Sequence, residues 1–341
     1  MRTIALEEHF WTPELAAPAG TGVLARAGGA ELDAALRDLG EARIAAMDAA
    51  GIDLQVLSHV QPAAQALPAD GETGGGPGDG PSGGLGGGLG GTTVARRAND
   101  CLAAAIGAHP DRLAGFATLP TGSPSAAADE LSRAIGELGF AGGLINSTLG
   151  TNGRFLDDPS FAPLLSRFES LDVPLYLHPA APPAGLGATL YCGLPGPAAA
   201  ALATNAWGWH AEAGLHALRL VVSGAFDRHP GLRVIIGHCG EMIPFMLDRI
   251  DEMMPPSVSG LPEPASAYFL RHFWVTTSGM FSLPPVLCAL AVFGVDRLLF
   301  SVDYPFGCNA RGRALLDALP LAPADKAKVA GQNAARLLRL R

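Results

Sequence analysis

The sequence predicts a (β/α)8 barrel, and three observations carry that expectation. Apolar runs of strand length alternate with stretches of helical period along the whole chain, and strict alternation implies a parallel sheet. Eight such runs occur, the number that closes a barrel. The length of 341 residues is large for an ordinary domain but suits a barrel, so residues 1–341 read as one domain. A doubly wound open sheet is the runner-up; no Gly-x-Gly-x-x-Gly turn follows the first strand to favour it.

The first strand, residues 3–10, carries apolar side chains into Glu7, Glu8 and His9. In an uninterrupted strand Glu7 and His9 share a face while Glu8 faces away. A carboxylate beside an imidazole is half of a site for a borderline divalent cation, although alone it is also an ordinary polar strand exit. Residues 31–50 read as one amphipathic helix stopped at Gly51, and 54–58 as the second strand. More than half of residues 71–91 are glycine, which reads as a flexible Gly-rich surface insertion, tolerated rather than gating. No Gly-Lys-Ser/Thr follows it, which excludes a phosphate-binding loop.

Further along, helix 94–108 precedes a third strand at 113–117, and helix 125–138 precedes a fourth at 141–146, ending on Asn146. Helix 159–170 leads to a fifth strand at 173–178, ending on His178. A long helix over 209–226 leads to a sixth at 232–238, ending on His238. Helix 242–253 precedes the seventh at 273–278, helix 285–293 precedes the eighth at 297–303, ending on Asp303, and helix 324–338 closes the chain.

Composition narrows the function. Hydrophobic residues make up 48% and charged ones 16%, enough for a large core. The net charge of -9 disfavours nucleic acid and anionic membrane surfaces, so an anionic substrate must meet a local cation. Five scattered cysteines, never spaced Cys-x-x-Cys, argue against a disulfide framework and a cysteine zinc site. With no basic-then-apolar leader and no bilayer-length apolar run, the expectation is a cytoplasmic protein with no membrane partner.

Active sites of such barrels lie where the strands end. Here those ends carry Glu7 and His9, His178, His238 and Asp303. A single buried histidine is usually a core residue; ligand-type side chains converging from four strands are a site. The order Glu-x-His, His, His-x-Gly-Glu and Ser-x-Asp-Tyr-Pro resembles the amidohydrolase superfamily, nearest to its branch of metal-dependent, non-oxidative decarboxylases such as those of γ-resorcylate, dihydroxybenzoate, 5-carboxyvanillate and aminocarboxymuconate semialdehyde. Ile4 to Phe10, Ala217 to Pro230 and Gly237 to Asp251 carry the likeness most strongly.

The resemblance implies that Glu7, His9, His178 and Asp303 bind one divalent metal per chain, Zn²⁺ or Mn²⁺. It also implies that His238 and Glu241 handle protons and that the chain forms a homodimer or homotetramer. The expected reaction is loss of CO₂ from an aromatic or unsaturated carboxylic acid, with Asp303 protonating the carboxyl-bearing carbon. Glu-x-His in place of the hydrolases' usual His-x-His, and no lysine at the end of strand four, fit a mononuclear lyase. A hydrolase or hydratase using Asp303 as base toward metal-bound water is the alternative, and a non-catalytic binding barrel the third reading.

Arg249 is a candidate clamp for a carboxylate or phenolate, or an ion-paired surface residue. Asn146 and His59 are candidate hydrogen-bond partners of substrate, and Phe10 and Trp207 candidate walls for an aromatic ring. Two positions depart from the family pattern: Met280 where the relatives carry Asn, and Gly307 where Glu is common. Both remove polarity near the mouth and suggest a bulkier or less hydroxylated acid.

Overall fold

The computed structural model describes residues 1–13, 29–61, 63–70, 89–147, 149, 154–182 and 184–340. Residues 71–88, most of the expected Gly-rich insertion, lie outside them; the last part of that stretch is not loop, because Gly91 opens a helix.

The strands are β1 (Ile4–Phe10), β2 (Leu54–His59), β3 (Leu113–Thr118), β4 (Gly142–Asn146), β5 (Leu175–His178), β6 (Val234–Ile236), β7 (Phe273–Thr276) and β8 (Leu298–Leu299). They pair in parallel and in sequence order. A parallel bridge between Leu6 and Ser301 closes the ring, supported by Leu6 N–H donating to the Phe300 carbonyl at 3.2 Å. The fold is the expected (β/α)8 barrel. No helix among the described residues is long and apolar enough to cross a membrane.

Around the barrel run α1 (Ala30–Arg37), α2 (Glu41–Ala50), α3 (Gly91–Ala108), α4 (Pro124–Gly136), α5 (Ala162–Leu171), α6 (Ala184–Leu190), α7 (Gly196–Ala203), α8 (Gly208–Val222), α9 (Ala225–Arg228), α10 (Ile243–Met253), α11 (Pro256–Ser259), α12 (Ala265–His272), α13 (Leu283–Phe293), α14 (Asn309–Ala318), α15 (Pro323–Ala327) and α16 (Asn333–Leu338). The helix expected over 31–50 is two helices. Asp38 breaks it: its carboxylate accepts the Gly40 and Arg43 amides at 2.8 and 2.6 Å, ending one helix and capping the next. The helix expected over 209–226 likewise stops, at Gly224 in left-handed conformation. A π-helical turn at Lys328–Gln332 interrupts the one expected over 324–338. The small helices α6, α7, α11, α12 and α14 were not anticipated.

Two buried layers hold the barrel. Alternate strand residues Ile4, Leu6, Leu54, Val56, Leu144 and Tyr176 form an inner cluster, joined by Leu337 and Leu338 of α16. A larger shell of apolar side chains fills the space between strands and helices. At the other ends of the strands the inward positions turn polar, and there the site is built.

Candidate metal centre and active site

Glu7 reaches the interior through an irregularity that simple alternation does not foresee. Ala5 pairs with Gln55 and Glu8 with Leu57, so three steps on β1 face two on β2, and Glu7 takes a left-handed φ of 58°. The Glu7 Oε2 atom accepts from Tyr176 and Ser278 hydroxyls. Its carboxylate presses against β6 so closely that a Cβ at Gly237 would sit 2.7 Å from Oε2, which is why glycine precedes His238. Burial pushes the Glu7 carboxyl up, against the pull of His238.

The other expected ligands gather around it. His178 Nε2 lies 3.3 Å from Glu7 Oε1, and His9 Nε2 lies 3.2 Å from Asp303 Oδ1. Donor atoms of Glu7, His9 and His178 all fall within 4.8 Å of one another. His178 Nδ1 pairs with Asn146 Oδ1 at 2.9 Å, which leaves Nε2 facing the cluster. Burial, aided by His9, depresses the His178 pKa well below its usual value and keeps the ring neutral, as ligation demands. Glu7 Oε1 and His9 Nε2 are both buried, and neither makes a well-aligned hydrogen bond, although His178 Nε2 and Asp303 Oδ1 respectively lie close by. Leaving such atoms unpaired costs roughly 1–3 kcal/mol each. Two imidazoles and two carboxylates around those orphans are a donor set that fits one divalent cation of the zinc or manganese type.

A second constellation abuts the first. His238 Nδ1 lies 2.7 Å from Glu241 Oε1, and its Nε2 lies 3.9 Å from Asp303 Oδ2. The other Glu241 oxygen accepts from His210 Nδ1 at 2.8 Å. Burial opposes charge here, but His238 and His210 overcome it and hold the Glu241 carboxyl down at about 2. Burial also opposes a proton on His238, but Glu241 and Glu7 outweigh it and raise its pKa well above the ordinary value. Asp303 shows the same contest: burial is outweighed by the neighbouring His238 and His9 rings, and its pKa lies below the usual carboxylate range. His210 escaped the sequence reading because it sits inside a helix, at no strand end and in no spaced motif.

Glu8 does not face solvent. It is fully buried and accepts the amides of Val302 and Tyr304 at 2.9 and 3.0 Å, gripping the chain on both sides of Asp303. Gln55 donates to Glu8, and buried Arg43 donates to Gln55 and, at 2.7 Å, to the His9 carbonyl. A single polar chain thus ties a ligand-bearing strand at one edge of the seam to the left-handed Asp303 at the other.

The five residues expected to touch substrate make the following contacts within the described residues. Phe10 is fully buried, edge-on to His59, and belongs to the core. His59 has both nitrogens engaged, with the Thr12 amide and the Val60 carbonyl. Asn146 spends its side chain on His178 and Gln65. Trp207 stands at the N-cap position of α8 and is 55% exposed. The Arg249 side chain is 59% exposed and pairs with Glu252 at 2.8 Å, as the surface ion-pair alternative had it.

Glu212 on α8 is a buried carboxyl whose two oxygens have no hydrogen-bond partner among the described residues, and burial raises its pKa from 4.5 to about 8. The folded state therefore holds a proton that the unfolded chain releases, and stability falls as pH rises from about 4.5 to 8. Glu212→Gln removes that slope. Urea unfolding should find it about 2–4 kcal/mol more stable than the parent at pH 8, with little difference at pH 4.5.

A model of the amidohydrolase family matches residues 9–340. The chain is 38% identical over 349 residues to gamma-resorcylate decarboxylase of Rhodococcus jostii, covering 99% of this chain and 98% of that protein. Among solved structures it resembles 2,6-dihydroxybenzoate decarboxylase complexed with 2,6-dihydroxybenzoate, with a TM-score of 0.84, 35% identity and 100% of each chain covered. It also resembles the dihydroxybenzoic acid decarboxylase of Polaromonas sp. solved with manganese and the inhibitor 2-nitroresorcinol, with a TM-score of 0.84, 32% identity and coverage of 99% and 97%.

Proposed function

The chain belongs to the amidohydrolase family, and from that premise we propose that it is a metal-dependent decarboxylase of an aromatic carboxylic acid, with Glu7, His9, His178 and Asp303 holding one Zn²⁺ or Mn²⁺. The observation that carries the reading is the position of Asp303. Its side chain stands between His9 and His238 and is 18% exposed, whereas Glu7, His9, His178 and His238 are 7% exposed or less. Of the cluster, it is the group most open to a molecule arriving at the mouth.

Loss of CO₂ from an arene consumes one proton: the carboxylate carbon leaves, and the ring carbon it leaves takes a hydrogen. A cation held by Glu7, His9, His178 and Asp303 would supply Lewis-acid charge for the substrate carboxylate. Asp303, held ionised by His238 and His9 in the free site, takes up a proton when the negative charge of the substrate arrives beside it, and delivers that proton to the carboxyl-bearing carbon. His238, 3.9 Å away and favouring its charged form, refills Asp303, and Glu241 fixes the His238 ring. CO₂ departs as aromaticity returns. Met280 and Gly307, where the family pattern carries polar side chains, favour an acid bulkier or less hydroxylated than a dihydroxybenzoate. Metal-dependent release of CO₂ from a panel of hydroxybenzoic acids tests the assignment.

We further infer a homodimer or homotetramer. Leu215, Phe245, Met246, Met253, Val258 and Leu270 are exposed on α8 and α10–α12, and α12 packs against both α8 and α10, so they lie on one side of the molecule. Phe245 is 82% exposed, and an apolar face of this kind marks an interaction surface. Phe245→Ser should lower the mass measured by light scattering toward a single chain at micromolar concentration. An unchanged oligomer would remove this face from the interface.

A further inference from the structure

We infer that His210 is a positioning residue for the reaction: through Glu241 it fixes the ring of His238 against Asp303. The inference rests on the decarboxylase reading for its kinetics but not for its structural basis.

The geometry leaves Glu241 two tasks and one orientation. Its Oε1 accepts a hydrogen bond from His238 Nδ1 at 2.7 Å and its Oε2 accepts one from His210 Nδ1 at 2.8 Å. The other end of the His210 ring is also held. Trp209 Nε1 donates to His210 Nε2 at 3.1 Å, and the Asn205 carbonyl lies 3.0 Å from the same nitrogen. A neutral ring that accepts from Trp209 carries its proton on Nδ1, and a charged ring that donates to Asn205 carries one there too. In both states His210 donates to Glu241.

The carboxylate needs such a brace. It projects from a turn in which His238, Cys239, Gly240, Glu241 and Met242 all have left-handed φ. No helix or strand ladder sets its direction, so its orientation depends on what grips the two oxygens. Helix α8 comes close enough to grip because residue 214 is glycine: a Cβ there would lie 2.6 Å from the Glu241 carbonyl oxygen. Gly214 is one turn beyond His210 on the same helix, so the contact that brings α8 onto the turn also delivers the imidazole. Without that donor, a buried Glu241 oxygen is left unpaired and the carboxylate is free to swing. The far nitrogen of His238, which faces Asp303, moves with it.

The test compares the loaded wild-type enzyme with His210→Phe, which keeps a ring but no donor, and His210→Asn, whose amide nitrogen falls near the position of Nδ1. In the Phe variant, kcat is expected to fall roughly 10- to 100-fold, the usual cost of losing an outer hydrogen-bond partner. KM and metal content should stay near wild type, and the melting temperature should fall by no more than about 10 °C. His210→Asn should recover at least tenfold of the loss. Independently of turnover, proton NMR of histidine-labelled protein should show the Nδ1–H resonance of His238 bonded to Glu241 in the wild type and Asn variant, and shifted or exchange-broadened in the Phe variant. If the Phe variant does not fold, His210→Gln replaces it, because its amide lies where Nε2 sits and cannot make the same donation. Unchanged kcat in the Phe variant, no recovery with Asn, or an undisturbed His238 resonance would overturn the inference. A wild type without decarboxylase activity would fail the functional reading alone, and the NMR comparison would still decide the role of His210.

Discussion

Asp303→Asn is expected to lower kcat by roughly 10²–10⁴-fold, the span associated with loss of a general acid. The substitution keeps the shape of the side chain and an oxygen that can face the cation. It removes the one capacity that the mechanism requires there, a proton that can leave. Neighbouring structure should survive, because the backbone at 303 is held by Glu8 through the amides of Val302 and Tyr304 rather than by the Asp303 side chain. Single-turnover CO₂ release separates this loss from slow product release. Metal content measured on the same samples separates it from loss of the ion. A D303N enzyme within tenfold of wild type would mean that another group protonates the ring.

His178→Ala is expected to abolish stoichiometric metal. Wild-type protein should hold about one Zn²⁺ or Mn²⁺ per chain by elemental mass spectrometry, and the variant a small fraction of that. The effect should exceed the roughly 10- to 100-fold drop in affinity caused by losing an outer partner such as Asn146, because a donor itself is removed. Glu7 Oε1 and His9 Nε2, buried and without well-aligned hydrogen bonds, would be left with one neighbour fewer to share a cation. Full metal occupancy in the variant would place the ion elsewhere.

The barrel was legible because its evidence is periodic. Eight apolar runs, each delivering a polar residue at its end, need only strand length and alternation to be read, and the structure brings Glu7, His9, His178, His238 and Asp303 together. What stayed hidden depends on local events that periodicity averages away. One extra residue in β1 buries Glu8, which alternation sends outward. Asp38 divides a continuous amphipathic pattern by taking two amides. Arg43 and His210 lie within helices, where a polar residue reads as a surface position until the rotation of the helix against the barrel is known. For the same reason the sequence does not foresee that Arg249 and Trp207 are exposed while Phe10 and His59 are buried.

The most direct test of the account is decarboxylation of a hydroxybenzoic acid by the metal-loaded enzyme in D₂O, followed by NMR of the product. The account predicts one CO₂ per arene formed and a single deuterium, at the ring carbon that carried the carboxylate. Product that retains its carboxylate and gains the elements of water would contradict it, and would make Asp303 a base in a hydrolase or hydratase.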